Sequence, residues 1–289
     1  VFQSIPAWEK LIQHIYKKHG LPYAAAEHLA VGTNAVFKVG NTVVKLFAPV
    51  ESGAYARSDY ETELFGLKRA NALGILAPKL LACGCVFDKY DFLYMVMEHA
   101  QGASLAKLDG ALTDAQKEAI GVRLRGILQR MNVPCEPFNE IDVVKRAISA
   151  KGWDAFPARF QQERLAWLAR YRASGLVYAH GDLNPDNILV EEGGGITIID
   201  FADGVLAPPA YELPALVCCS FEFEGPYMRG LFGPDYHAAD IAEQCFDAIL
   251  MHDFGQDIIT DNFGEPADIT SLSELKNRVH AAAEAGKHM

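Results

Sequence analysis

The chain has 289 residues, half of them hydrophobic, enough for one large or two modest domains with a sizeable core. Its formal net charge of -11 argues against a nucleic-acid partner, which would need basic patches to displace counterions. No run of about 18 apolar residues occurs, the start VFQSIPAWEK lacks the basic and apolar regions of a signal peptide, and the cysteines form no CxxC pair, so a soluble cytoplasmic protein with reduced thiols and no membrane partner is expected.

In chain order, Trp8, Leu11, Ile12, Ile15 and Tyr16 fall on one face of a predicted helix over residues 7–18, which Gly20 and Pro22 stop. The runs EHLAVG, AVFKV and TVVKLF read as three antiparallel strands, the last two joined by a tight turn at Gly40 and Asn41. A helix over 55–73 carries Tyr60, Leu64, Leu67 and Ala70 along one side, and APKLLACGCVF and DFLYMVMEH return to strand pattern. After Gln101 and Gly102 the period is helical over 113–131, with Thr113 as cap, then over 141–150 and 158–171. Strands return briefly as NILV and ITIID around Gly193, Gly194 and Gly195, and helices resume from Ala210, among them 235–252 and 271–283. The expected organisation is α+β, with a small antiparallel-sheet lobe over 1–99, a crossover at 99–103 and a larger, mainly helical lobe over 100–289.

The densest polar stretch is HGDLNPDN, residues 180–187, set between the apolar runs GLVYA and ILV. Asp182 and Asn187 lie on a loop entering a short strand, and Asp200 ends the partner strand of the same hairpin, so the three are expected to converge despite a gap of 13 residues. An amide and a carboxylate brought together are hard oxygen ligands suited to Mg2+, which usually retains waters and phosphate oxygens as its other ligands. Asp182 is left to receive or orient a proton. Phosphoryl transfer needs this combination, a metal to neutralise phosphate charge and a carboxylate to hold the attacking hydroxyl in line. An Asp near its ordinary pKa of about 4 can serve by positioning alone.

The pattern resembles the aminoglycoside phosphotransferase and choline kinase family, which shares the bilobal fold of protein kinases. The family's His-x-Asp with Asn five residues later stands here as His180, Asp182 and Asn187, and its metal-binding Asp as Asp200 in IIDFADG. The resemblance implies that Asp182 is catalytic and that Asn187 and Asp200 hold Mg2+. It further implies that Lys45 in VVKLF contacts the α- and β-phosphates of ATP and pairs with Glu61 in DYETELF, favoured over Glu63 by its register against Leu64 and Phe65. YMVMEHAQG matches the hinge, placing adenine on backbone groups near Glu98 and Ala100, and VGTNAVFKV, with Thr33 and Asn34, matches the loop over the phosphates. That loop lacks GxGxxG and the chain has no P-loop, so ATP binding rests on the lysine, hinge and metal residues together. The resemblance covers about residues 28–217.

Departures from the pattern refine the expectation. DFA replaces the DFG of protein kinases and no APE motif follows, which points to a small-molecule kinase. The family's DPxxDLA reads PPAYELPAL, with Pro208 and Glu212 in place of two aspartates. A second DFG, Asp253 to Gly255, follows a helical period and is not expected to bind metal. His180 reads as a brace for the loop and Asp186 as a solvated turn residue, while Asn184 has no assigned role.

Residues 1–200 carry 22 acidic and 22 basic side chains, whereas 201–270 carry 13 acidic ones against Arg229 alone. That segment is the expected place for a cationic acceptor, with Phe221, Phe223, Tyr227 and Tyr236 as candidate cation-π faces that compete with core roles. The expected activity is ATP-dependent transfer of the γ-phosphate to a hydroxyl of a small, amine-bearing acceptor. Two alternatives share the fold: a catalytically silent nucleotide-binding regulator, and a protein kinase.

Overall fold

Helix α1 (Ile5–His19) forms where Trp8, Leu11, Ile12, Ile15 and Tyr16 recur at helical spacing, and all five are buried. Pro6 occupies the first turn, where a missing N–H is harmless, and Gly20 ends the helix in the left-handed region at φ 64. The computed structural model describes residues 3–29, 34–52, 56–108 and 110–286.

Strands β1 (Ala26–His28), β2 (Ala35–Val39) and β3 (Thr42–Leu46) precede helix α2 (Ala56–Ala72), and β4 (Leu80–Asp88) and β5 (Tyr90–Glu98) follow it. All five strands form one antiparallel sheet in the order β1-β2-β3-β5-β4. Val39 faces Thr42 across the Gly40 and Asn41 turn, and Lys45 lies in mid-sheet opposite Val36 and Met95. Helix α1 packs on one face of this sheet, over Phe37, Val44, Tyr94 and Val96, with Trp8 edge-on to Phe92 at 5.1 Å. Strand β1 is shorter than the run EHLAVG, part of which lies outside the described residues.

Further along run β6 (Ala103–Ser104), α3 (Leu105–Leu108), α4 (Asp114–Met131), α5 (Val143–Ser149), α6 (Ala158–Arg170), β7 (Val177–Ala179), β8 (Ile188–Val190), β9 (Ile196–Ile198) and β10 (Val205–Ala207). A 3-10 turn (Pro209–Glu212) and a π-helix (Pro214–Ser220) lead into α7 (Gly225–Phe232), α8 (Ala238–Met251), α9 (Gly255–Phe263) and α10 (Leu272–Gly286). Thr113 caps α4 in a reciprocal box with Gln116. The chain divides into two compact units, Val1–Gln101 with Thr197–Ala202, and Gly102–Ile196 with Asp203–Met289. Asp200 therefore belongs to the sheet unit, a grouping that chain order places in the 100–289 lobe.

Two contacts organise the helical unit. Helices α4 and α7 meet backbone to backbone: a Cβ added at Gly121 would lie 2.4 Å from the Tyr227 carbonyl oxygen, and one at Gly230 2.2 Å from that of Glu118. Arg164 of α6 is buried, donating to the carbonyls of Leu250 at 2.9 Å and Ala147 at 3.0 Å, with its guanidinium 3.6 Å above Trp153. The ends of α8 and α5, where carbonyls lack partners, thus neutralise a cation that burial pulls down to about 10. Among the described residues no helix is long and apolar enough to cross a membrane.

Candidate active site

In the sheet unit, β3 delivers Lys45 from the centre of the sheet, where it is 5% exposed. Its ammonium sits 2.7 Å from Glu63 Oε2 and 2.8 Å from Asp200 Oδ1. Burial alone would favour neutral Lys45, but the charges of Asp200 and Glu63 outweigh it and hold the ammonium above its ordinary range. One ammonium faces two carboxyls, and burial pushes the enclosed one, Glu63, up to about 7 against the pull of Lys45. Asp59, one turn earlier on α2, is also raised, first by its own burial.

The pairing of Lys45 with Glu61 is corrected. Helix α2 buries Ala56, Thr62, Glu63, Gly66, Leu67 and Ala70, so the inward face runs through position 63. Glu61 points to solvent and lies 3.7 Å from Arg57 one turn back. The small residues Gly66 and Ala70 mark this face, and they are weak signals beside Tyr60 and Leu64, which are only partly buried.

Asp200 is exposed and holds a left-handed φ of 61, a costly conformation for a non-glycine residue that keeps its carboxylate at Lys45. Nearby, Ile198 N–H donates to the Leu76 carbonyl at 2.9 Å. At the end of β5, Glu98 N–H donates to the Lys79 carbonyl and His99 N–H to the Asn41 carbonyl. Strand alternation thus turns the Glu98 carbonyl to the same side as Lys79, and Ala100 follows two residues beyond the end of the strand. The Asn34 carbonyl accepts from Gln3 Nε2 at 3.0 Å, and Thr33 lies outside the described residues.

In the helical unit, the loop between β7 and β8 holds Asp182 by its neighbours. Asn184 Nδ2 donates to both carboxylate oxygens at 2.9 and 3.0 Å, and Asn187 Nδ2 to Oδ2 at 2.9 Å. Asn184 Oδ1 in turn accepts from the N–H groups of Asp186 and Asn187, so Asn184 is a hub of the loop. Its role carried no sequence signal beyond the density of polar residues. His180 is fully buried and its Nδ1 accepts from Asp182 N–H at 3.3 Å, and Asp186 is exposed.

Two more groups grip the same loop. Glu212 Oε1 accepts from Gly181 N–H at 2.9 Å, and Ser220 Oγ donates to the Leu183 carbonyl at 2.8 Å. Gly181 has φ 81, and a Cβ there would lie 2.4 Å from the Asp203 carbonyl oxygen, so only glycine fits. Burial raises the Glu212 carboxyl to about 7 despite the backbone N–H groups of Gly181 and His180 that favour its charge.

Each side chain taken by itself is of a kind that Mg2+ accepts: in the helical unit Asn187 turns its Nδ2 to Asp182 and leaves its amide oxygen as a hard donor, and in the sheet unit exposed Asp200 offers a carboxylate, whose Oδ1 meets Lys45. Asp253, in the second DFG, is instead held by Arg146 at 3.3 Å and donates its N–H to Tyr211 Oη.

The acidic segment separates into engaged and open groups. Glu224 pairs with Lys117, and Glu243 with Lys276 and His280. Burial foremost pushes the Cys219 thiol up to about 11, against the hydrogen bond from Asn262 and with the added charges of Asp261, Asp182 and Glu222. Phe221, Phe223 and Tyr227 are buried core rather than open cation-π faces, and the cation over Tyr227 is Lys117 at 5.4 Å.

Residues 28–241 match the phosphotransferase enzyme family. Over 110 residues the chain is 31% identical to sperm motility kinase 2A of Mus musculus, a stretch that covers 38% of this chain and 19% of that protein. Among solved structures, the GDP complex of wild-type aminoglycoside 2'-phosphotransferase-IIIa aligns over 94% of this chain and 98% of that chain, with 18% identity and a TM-score of 0.59. Choline kinase LicA from Streptococcus pneumoniae aligns over 98% and 100%, with 16% identity and a TM-score of 0.59. These two likenesses carry the kinase-like fold, and the family match spans well over half of the chain, from before Lys45 to beyond Asp200. The chain belongs to the phosphotransferase enzyme family.

Proposed function

We propose that this chain transfers the γ-phosphate of ATP to a hydroxyl of a small, cationic acceptor. The observation that carries this reading is Lys45, a buried ammonium fixed at 2.7 and 2.8 Å between Glu63 and Asp200. A preorganised cation at this position needs no reorganisation to receive phosphate oxygens. Lys45 then bonds the α- and β-phosphates, Glu63 keeps it in place, and the backbone at Glu98 and Ala100 receives adenine. Asn34 belongs to the segment that covers the phosphates.

Asn187 and Asp200 are the proposed holders of Mg2+, which supplies neutralisation of phosphate charge when bound. Asp182 accepts the hydrogen bond of the acceptor hydroxyl and keeps its oxygen in line. Asn184 and Asn187 restrain the Asp182 carboxylate, so that it orients rather than wanders. Glu222 and Asp261 favour an amine-bearing acceptor: both are exposed, Glu222 stands two residues after Ser220, which bonds the Leu183 carbonyl next to Asp182, and Asp261 stands next to Asn262, which bonds the Cys219 thiol.

Incubation with Mg-ATP and a panel of hydroxylated amines, followed by mass spectrometry, tests this. One phosphate added to a small molecule, and lost in Asp182→Ala, is the expected result. A protein that binds Mg-ATP, phosphorylates nothing and is indistinguishable from Asp182→Ala overturns it. A protein acceptor on the same fold is the second reading, and phosphate found in the protein pool would support that instead.

A further inference from the structure

The residues on either side of Asp182, Gly181 and Leu183, are both held by one short stretch of chain. Before it, Gly181 N–H donates to Glu212 Oε1 at 2.9 Å, and after it, the Leu183 carbonyl accepts from Ser220 Oγ at 2.8 Å. Glu212 ends the 3-10 turn and Ser220 ends the π-helix, so the two grips are separated by a single π-helical span. A π-helix is rare and costs stability relative to an α-helix, and it changes where a residue at its end points. Here its last residue presents the hydroxyl to Leu183. Immediately beyond, Glu222 and Phe223 both have left-handed φ, 48 and 60, so the chain turns sharply once that contact is made.

Neither grip touches the Asp182 carboxylate, which Asn184 and Asn187 bind directly. What the grips restrain is rotation of the backbone that carries it. Within the loop, His180 Nδ1 accepts from Asp182 N–H and Asn187 Nδ2 donates to the Asp182 carbonyl, but Gly181, at φ 81, has the widest backbone freedom of any residue, and the outer grips limit it. We propose that Ser220 is a positioning residue for Asp182, set by the π-helix to clamp the Leu183 carbonyl while Glu212 clamps the Gly181 N–H. The proposal rests on the reading of Asp182 as the group that orients the acceptor hydroxyl.

The full chain with Mg-ATP, using choline and kanamycin as acceptor probes, provides the test. Ser220→Ala is expected to lower kcat about tenfold while the KM for ATP stays within about twofold, because orientation is lost and nucleotide binding is not. Ser220→Thr, which keeps the hydroxyl, restores kcat to within about threefold. Hydrogen exchange across residues 180–187 quickens about tenfold in Ser220→Ala and returns towards wild type in Ser220→Thr. An Ala variant with wild-type kcat overturns the positioning role, whatever its exchange. So does a loss shared with the ATP KM that Thr does not rescue. If the wild type turns over neither probe, the phosphotransfer reading fails for those acceptors, and the exchange result alone supports or overturns the clamp.

Discussion

Lys45 and Glu63 meet at 2.7 Å with side chains 6% and 4% exposed, while Glu61, two residues away, is 58% exposed. A buried ion pair broken on one side leaves an uncompensated charge, and an exposed pair contributes little. Glu63→Gln is therefore expected to lower kcat/KM for ATP by about ten- to a hundredfold, and Glu61→Gln to leave it within about twofold. Steady-state kinetics at fixed Mg2+ checks both. Equal effects would return the partner role to Glu61.

Asp182→Asn keeps the shape of the side chain and removes its charge. A loss of at least about a hundredfold in kcat is expected, with ATP affinity within a few-fold, as for a group that acts on the acceptor hydroxyl alone. Asn184→Ala frees both carboxylate oxygens from one amide and is expected to cost about tenfold. Nucleotide titration alongside turnover separates these effects from loss of binding.

Arg164 holds two helix ends and stacks on Trp153. Arg164→Met preserves length and removes both donors, which leaves the Leu250 and Ala147 carbonyls without them. A destabilisation of about 2 to 4 kcal/mol is expected in urea unfolding. A change below about 0.5 kcal/mol would mean that neighbouring groups replace the guanidinium.

Glu212 and His252 give opposite pH dependences. Burial raises Glu212 from 4.5 to about 7, so the folded state binds its proton more tightly than the unfolded chain does. Its contribution is fully present below the unfolded value and is lost as pH rises through about 7. His252 is pushed down from 6.5 to about 3 by burial and by Arg146, so its contribution is present above 6.5 and is lost as pH falls. Glu212→Gln is expected to gain on the order of 3 kcal/mol relative to wild type between about pH 5 and about pH 8. A pH-independent difference between the two proteins would show that Glu212 titrates normally.

Much of this architecture was legible from residue order. The hairpin at Gly40 and Asn41, the face of α1 and the cap at Thr113 follow from local chemistry that acts within a few positions. Lys45, Asp182, Asn187 and Asp200 were legible as a pattern, and the structure brings Lys45 to Asp200 and Asn187 to Asp182. Glu63 was named but ranked behind Glu61, because the buried face of α2 is built from small residues that contribute little apolar signal. Glu212 and Ser220 were missed as partners of the Asp182 loop because both contacts span more than 30 positions. The π-helix has no period that distinguishes it in advance from an α-helix. The place of Thr197–Ala202 in the sheet unit depends on tertiary contacts, such as Asp200 with Lys45.

The contact of α4 with α7 at Gly121 and Gly230 leaves no room for a carbon atom beyond Cα on either helix. In a saturation library these two positions should admit glycine alone, whatever is changed elsewhere in the helical unit. Diversification of Glu222 or Asp261 can therefore proceed around a seam that must itself stay unchanged. Recombination with other chains should exchange α4 and α7 as a pair, never one without the other.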